Sequence, residues 1–360
     1  MSSAQSDRKP SLRRRIDSRR SGRATATAKS AKPGSANESI RVRRFDADRT
    51  DVALSFEEGI KSRPSNRQLL WIDIDGDLKA DEAKVIAERF KLDRATRTAL
   101  ERPGSQALLA LHGAYLHVRV SAEPNQKRLA ETPWLEIVAG GNVVITHHEK
   151  PIRFLDDLNE RINEDTSIGI LDAPAMLGSL LNAAVTSYFR AVDAIEDEVD
   201  ELDGRSLRDA GGGRILEDLV ELRRRIAKLR RLLTDQRGLF ASLAGPDVTE
   251  LVGTDAAESL KAVSGRFESA LSAVEDSRDV LLGSFDVVMT RTGQRTNDVM
   301  KILALATVLL LPGSLIAGLL GMNVAVPLAK DDPASFWIVV GGVVLLAVVI
   351  LSVARYRRWL

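Results

Sequence analysis

Two uncharged stretches near the C-terminus constrain this chain more than any other feature. Ile302–Leu320 reads ILALATVLLLPGSLIAGLL and Phe336–Ala354 reads FWIVVGGVVLLAVVILSVA. As a helix, each would be about 28 Å long, which matches the hydrocarbon core of a bilayer. A soluble helical hairpin of that length would keep polar positions on one face, so both stretches are predicted to cross a membrane. Arg291, Arg295 and Lys301 precede the first span, and Arg355, Arg357 and Arg358 follow the second. The connection between them carries only Lys330 against Asp331 and Asp332. The positive-inside bias then puts both termini in the cytoplasm and the connection outside, as in a plasma or inner-membrane protein. Trp337, Tyr356 and Trp359 fall where interfacial aromatics belong. Two helices cannot enclose an aqueous path alone, so transport by such a chain requires several copies around an axis.

The long region ahead of the spans divides by pattern. Residues 1–32 hold ten Lys or Arg against Asp7 and Asp17, with no apolar periodicity. This reads as a disordered basic tail, taken to extend to residue 45, and it lacks the apolar core of a secretory signal. Its expected contact is with lipid headgroups, and the formal net charge of +1 gives no reason to expect nucleic acid. Between 46 and 150, Leu69–Ile74 is an apolar run ending in Asp75-Gly76-Asp77. Residues 80–101 look helical, and 107–111, 114–120, 134–138 and 142–146 are β-prone, so a sheet of about four or more strands is expected. From 151 to 301 the pattern is helical. A first long helix covers 173–203, broken at Gly204 and Gly211–Gly213, and a second covers Ile215–Leu243. A third starts near Asp255 and has no breaker before Pro312, so it runs from the cytosol into the membrane as a stalk. The fold class is therefore an α+β membrane protein, with a cytosolic α/β domain, stalk helices and two C-terminal spans at 302–320 and 335–354. The external loop is 321–334, and residues 355–360 form a short basic cytosolic end.

Several chemistries have little material. The chain has no cysteine, which excludes disulfides and thiolate metal sites. Of the four histidines, the adjacent pair His147-His148 ends a strand and reads as structural rather than as zinc ligands. No phosphate loop, nucleophile–base set or cofactor fingerprint is present, so neither an enzyme nor a resident cofactor is expected.

The first span ends in Gly321-Met322-Asn323 within NDVMKILALATVLLLPGSLIAGLLGMN, followed by a short loop and a second span ending in Arg-Arg-Trp-Leu. Upstream lie LRRRIAKLRRLLTDQR and SRDVLLGSFDVVMTRTGQRTND. Over residues 66–360 this resembles the CorA family of magnesium, cobalt and zinc transporters. The resemblance implies a funnel-shaped homopentamer whose stalk helices continue into a pore-lining first span, the second span forming an outer ring. It also implies that Gly321, Met322 and Asn323 form the ion entrance, with Asn323 amide oxygens holding a hydrated cation. Magnesium keeps its waters reluctantly exchanged, and a neutral amide ring can bond those waters without trapping the ion. Below the entrance, Asn297, Met300, Leu303, Thr307, Leu311 and Ser314 fall on one helical face at three- and four-residue spacing and align with the family's pore-lining positions. Thr307 and Ser314 would offer hydroxyls, while Met300, Leu303 and Leu311 would form constrictions that close by dewetting. Pro312 should kink or loosen the span, and Gly313 and Gly318 should permit close helix approach.

The loop VAVPLAKDDPASFW lacks the acidic Met-Pro-Glu segment of the magnesium branch and looks more like the ZntB-like zinc branch. The cargo is therefore read as Mg2+ or Zn2+. Asp331 and Asp332 either concentrate cations at the mouth or form a solvated turn. The acidic run Asp193, Glu196, Asp197, Glu198, Asp200, Glu201 and Asp203 is a candidate cytosolic cation sensor or a solvated face, and the Arg-rich segment 222–237 could pair with it between neighbours. The competing class is a membrane-anchored signalling or scaffold protein, which would need neither the polar stripe nor the Gly-Met-Asn mouth.

Overall fold

The computed structural model describes residues 39–48, 50–125, 128–160, 172–208, 212–322 and 333–357. Its first part is one seven-stranded sheet. The strands are β1 (Ile40–Asp46), β2 (Val52–Leu54), β3 (Gln68–Asp75), β4 (Leu108–His112), β5 (Tyr115–Ser121), β6 (Trp134–Gly140) and β7 (Val143–His148). They lie in the order β2-β1-β3-β7-β6-β5-β4, and among these pairings the central β3–β7 pair is parallel. Every residue from Leu69 to Ile74 is buried because both faces of this central strand are covered.

Alternation along β3 divides the core. Leu70, Ile72 and Ile74 pack with residues of α1 (Phe56–Lys61), α2 (Ala80–Phe90) and α3 (Arg94–Glu101). Leu69 and Trp71 pack in the larger cluster with α4 (Arg153–Glu160) and α5 (Ala173–Arg208). That cluster continues into α6 (Gly212–Thr234), α7 (Arg237–Leu243), α8 (Pro246–Val252) and the 68-residue α9 (Thr254–Gly321). At 1.5 Å per residue α9 is about 100 Å long. Gly253, at φ +82°, takes a positive-φ extended conformation that glycine adopts at no steric cost and that separates α8 from α9. The last helix is α10 (Pro333–Tyr356).

Three expectations change. Strand β1 begins at Ile40, inside the stretch assigned to the basic tail, because its apolar positions alternate with Arg41 and Arg43 while it pairs along the whole of β3. The sheet has seven strands, in keeping with the expected four or more; the short edge strand β2 and the charged β1 were not among the β-prone runs because they carry little apolar signal. Helix α5 passes through Gly204 to Arg208, its face against α9 outweighing the glycine cost of about 1 kcal/mol. The helix expected over 215–243 breaks at Asp235–Gln236, where Gln236 turns inward. Its Oε1 accepts from the Ser121 amide at 2.9 Å, and its Nε2 donates to Ser121 Oγ at 2.8 Å. Tyr188 donates to the Ser121 carbonyl at 2.6 Å, completing a buried polar link between β5 and the helices.

Candidate functional site

Helix α9 changes character along its length. Up to Val288, buried residues recur at helical spacing, among them Leu260, Val263, Phe267, Ala270, Val274, Leu281 and Val288. Beyond Val288 none of its residues is buried, and within the apolar windows of α9 and α10 no residue is buried inside the chain. The sequence-predicted stripe lies on this second stretch. Asn297, Met300, Leu303, Thr307, Leu311 and Ser314 are all exposed, Met300 at 61%, Leu303 at 57% and Leu311 at 60%.

Position around the helix gives that exposure meaning. The half-buried residues of the same stretch are Leu305, Leu309, Pro312, Gly313, Ile316 and Leu320. At about 100° per residue, the centre of this set and the centre of the predicted stripe are about 180° apart. A side chain built at Gly313 would sit 3.5 Å from Val343 Cγ1, so this is the side on which α10 packs. Gly318 has no such neighbour in the chain. The α10-facing stripe was missed in the sequence; its signal was the small and irregular residues Pro312 and Gly313 at helical spacing with leucines. Helix α9 continues through Pro312 to Gly321. The Thr307 hydroxyl donates to the Leu303 carbonyl at 2.8 Å, so its proton is committed to the helix and its oxygen lone pairs face outward chemistry as acceptors.

At the C-terminal end Gly321 closes α9, and Met322 is extended and 54% exposed. Asn323, Asp331 and Asp332 lie outside the described residues.

The acidic run on α5 is partly engaged within the chain. Glu198 takes a two-pronged ion pair from Arg225 of α6 at 2.6 and 2.9 Å. Glu196 accepts from Ser277 Oγ at 2.7 Å and Asp203 from Ser284 Oγ at 3.0 Å, both donors on α9. Asp193, Asp197, Asp200 and Glu201 are exposed. The pairing expected between neighbouring copies is thus made, for Glu198, inside one chain. Among the described residues no group of three or more His, Asp or Glu side chains is placed to hold a metal ion.

His147 and His148 are buried at the ends of the parallel pair. His147 Nε2 lies 2.8 Å from the Gly76 carbonyl, and burial holds its pKa below the usual histidine value. Burial also opposes charge on His148, but Asp73 outweighs it and the net shift is upward. Asp73 is itself buried, which favours its neutral form, yet His148, Thr146 and Arg41 together lower its pKa.

A family model described as CorA-like Mg2+ transporter protein matches residues 66–355. The chain is 24% identical over 295 residues to the cobalt/magnesium transport protein CorA of Thermotoga maritima, covering 81% of this chain and 83% of that protein. It is 29% identical over 273 residues to the divalent cation transporter CmaX of Pseudomonas aeruginosa, covering 75% and 78%. It is 22% identical over 292 residues to the zinc transport protein ZntB of Pectobacterium atrosepticum, covering 76% and 84%. Among solved structures, the complete CorA magnesium transporter of Methanocaldococcus jannaschii has the same fold, at TM-score 0.69 and 19% identity, with 91% of this chain and all of that one covered. Full-length CmaX matches at TM-score 0.66 and 23% identity over 91% of this chain.

Proposed function

The chain belongs to the CorA-like Mg2+ transporter protein family, and we propose that it carries divalent cations across a membrane through a central pore lined by α9. The observation that carries this reading is the opposition of the two stripes on the outer stretch of α9. One face packs on α10, and the opposite face holds Asn297, Met300, Leu303, Thr307, Leu311 and Ser314, exposed in a single chain. A ring of copies, five by family resemblance, turns that second face toward a shared axis. Hydroxyl and amide positions then meet the hydrated ion, while Met300, Leu303 and Leu311 narrow the path with apolar side chains. Gly321, Met322 and Asn323 form the mouth, where neutral amide oxygens bind the ion through its waters.

Relatives named for cobalt/magnesium, divalent-cation and zinc transport support divalent cargo as a class, and either Mg2+ or Zn2+ fits this chain. Membrane potential, negative inside, drives uptake at about 2.3 kcal/mol per elementary charge per 100 mV. Basic residues flanking both spans fit cytoplasmic termini. The test is metal uptake into proteoliposomes, comparing Mg2+ with Zn2+, with and without a pH gradient, for wild type and Asn323→Ala. Potential-driven Mg2+ flux indifferent to pH assigns a channel, and Zn2+ flux that follows the pH gradient assigns proton coupling. Either flux is expected to collapse in Asn323→Ala. Absence of both fluxes from correctly inserted wild type would overturn the transport reading.

A further inference from the structure

Far along the chain from the spans, a cleft of about 880 Å³ opens between α3 and the β4–β5 edge of the sheet. This is within the size range of small-molecule sites. Three arginines, Arg94, Arg102 and Arg119, line it together with one carboxylate, Asp93. That carboxylate is already occupied, because it caps α3 by accepting from the Thr96 amide at 2.7 Å. Of the three guanidinium groups, Arg119 is paired with a carboxylate, while Arg94 and Arg102 have no acidic partner among the described residues.

The third guanidinium is built in place. Arg119 Nε donates to Glu136, a fully buried carboxylate that His117 Nε2 also contacts at 2.8 Å. Arg119 Nη1 donates to the Gln106 carbonyl at 3.3 Å. A side chain at position 104 would come within 2.5 Å of Nη1, so Gly104 leaves the room in which this guanidinium lies. With its side chain 12% exposed, Arg119 forms a fixed wall of the cleft. Arg94 opens α3 and Arg102 caps its C-terminal end; both are exposed and lie about 12 Å apart along the helix axis. Arg97 of the same helix pairs with Glu101 at 2.7 Å, whereas among the described residues Arg94 and Arg102 have no such partner. Between them Ala95 and Ala99 leave a low floor, and Leu108 stands directly opposite Arg119 in the β4–β5 ladder.

We propose that this cleft binds a phosphorylated small molecule of nucleotide size, its phosphates held by Arg94 and Arg102 beside the fixed Arg119, and its flat or apolar part resting on Ala95, Ala99 and Leu108. Guanidinium groups suit this ligand because their paired donors match phosphate oxygens. Charges spread over about 12 Å suit a polyphosphate chain better than a single phosphate ion. The inference is independent of the transport reading, since none of these residues belongs to the ion path.

The test is calorimetric titration of the full-length chain in detergent with ATP, and separately with inorganic phosphate, without divalent cations. Wild type is expected to bind ATP with an affinity that falls as salt rises. The double variant Arg94→Gln/Arg102→Gln should bind it about tenfold or more weakly, with two charge-assisted contacts removed, at an unchanged unfolding temperature. Both arginines are exposed, so the fold is not at risk. Ala99→Trp, which fills the floor, should weaken ATP while leaving the arginines intact. The proposal is overturned if wild type does not bind ATP, or if the double variant binds it as wild type does. Inorganic phosphate binding as tightly as ATP would also overturn the nucleotide-sized ligand in favour of a simple anion.

Discussion

The two halves of α9 are one continuous helix with opposite packing. From Thr254 to Val288 a stripe of buried residues meets α5, α6 and α7 of the same chain, and beyond Val288 none is buried. The first half is stabilised within the protomer by apolar burial, stacked aromatics and hydroxyl–carboxylate bonds. Among the described residues the second half packs on α10 along one side, and its other faces are left to lipid and, in the proposed assembly, to further copies. A substitution in the first half should therefore be felt as lost folding stability, and one in the second half as altered transport.

The sharpest contrast is between Phe267 and Leu311. Phe267 is fully buried, stacks on Phe240 at 4.0 Å and meets Tyr188 edge-on at 6.2 Å. Phe267→Ala should cost about 3–5 kcal/mol, read from chemical unfolding of the full chain in detergent by circular dichroism. Leu311→Ala, by contrast, should change stability by no more than about 0.5 kcal/mol yet alter the flux rate in proteoliposomes. Equal losses of stability at the two sites would break the comparison.

A middle-sized effect is expected where hydroxyls of the first half reach the acidic face of α5. Ser277 is 2% exposed and donates to Glu196 at 2.7 Å. Ser277→Ala should cost about 1 kcal/mol, and adding Glu196→Gln should cost little more, because the two act as one contact. Additive losses in that cycle would mean that Glu196 is stabilised by something else.

The sheet supplies a pH-dependent control outside α9. The His148 pKa is raised in the folded state, so its contribution is fully present below the ordinary histidine value near 6.5 and is lost as pH rises through the folded value. The His147 pKa is lowered, and its linkage has the opposite sign, costing stability as pH falls below about 6.5. Asp73, lowered as well, contributes above the ordinary aspartate range and loses that contribution on acidification. The charged groups around His148 are Asp73 and Asp75 on β3, with Arg41 of β1 and Asp156 of α4 beyond them. The stability difference between wild type and His148→Gln should therefore shrink as pH is raised above 6.5, with His147 common to both proteins. A difference that grows with pH would contradict the Asp73–His148 pairing.

The smallest effect concerns Arg230 and Glu275, a pair across α6 and α9 at 3.1 Å with both side chains about half exposed. Arg230→Gln should change stability by less than about 1 kcal/mol, and less still in high salt. A larger loss would show that surface charge, rather than the buried stripe, holds the first half in place.

Much of this layout was legible in the residues. Leu69–Ile74 reads as a central strand because every position is apolar or flanked by apolar residues, and the helical character of 254–321 follows from the lack of any breaker before Pro312. Strand β1 was hidden because Arg41, Arg43 and Arg44 fill positions that an isolated strand would give to apolar residues; Arg41 is there to meet Asp73, Asp75 and Asp156, all distant in sequence. The break at Gln236 was invisible for the same kind of reason. Nothing local demands it, and its partner Ser121 lies 115 residues away. In the candidate site, spacing placed the predicted stripe on one helical face, and the structure leaves that face exposed; the face taken by α10 was not legible.

What the sequence determined by itself is what depends on neighbouring residues along the chain: two spans of bilayer length, their flanking charges, the helical periodicity of α9 and the Gly-Met-Asn ending that suggested the family resemblance. Only the tertiary structure decided which side of α9 packs on α10, that Glu198 finds Arg225 within its own chain, and that Arg94 and Arg102 at the two ends of α3 line one cleft with Arg119. The physical reason is that length, apolarity and periodicity are local quantities summed over a segment. The choice of partner face is set by packing and charge between segments far apart in the chain, which no single window contains.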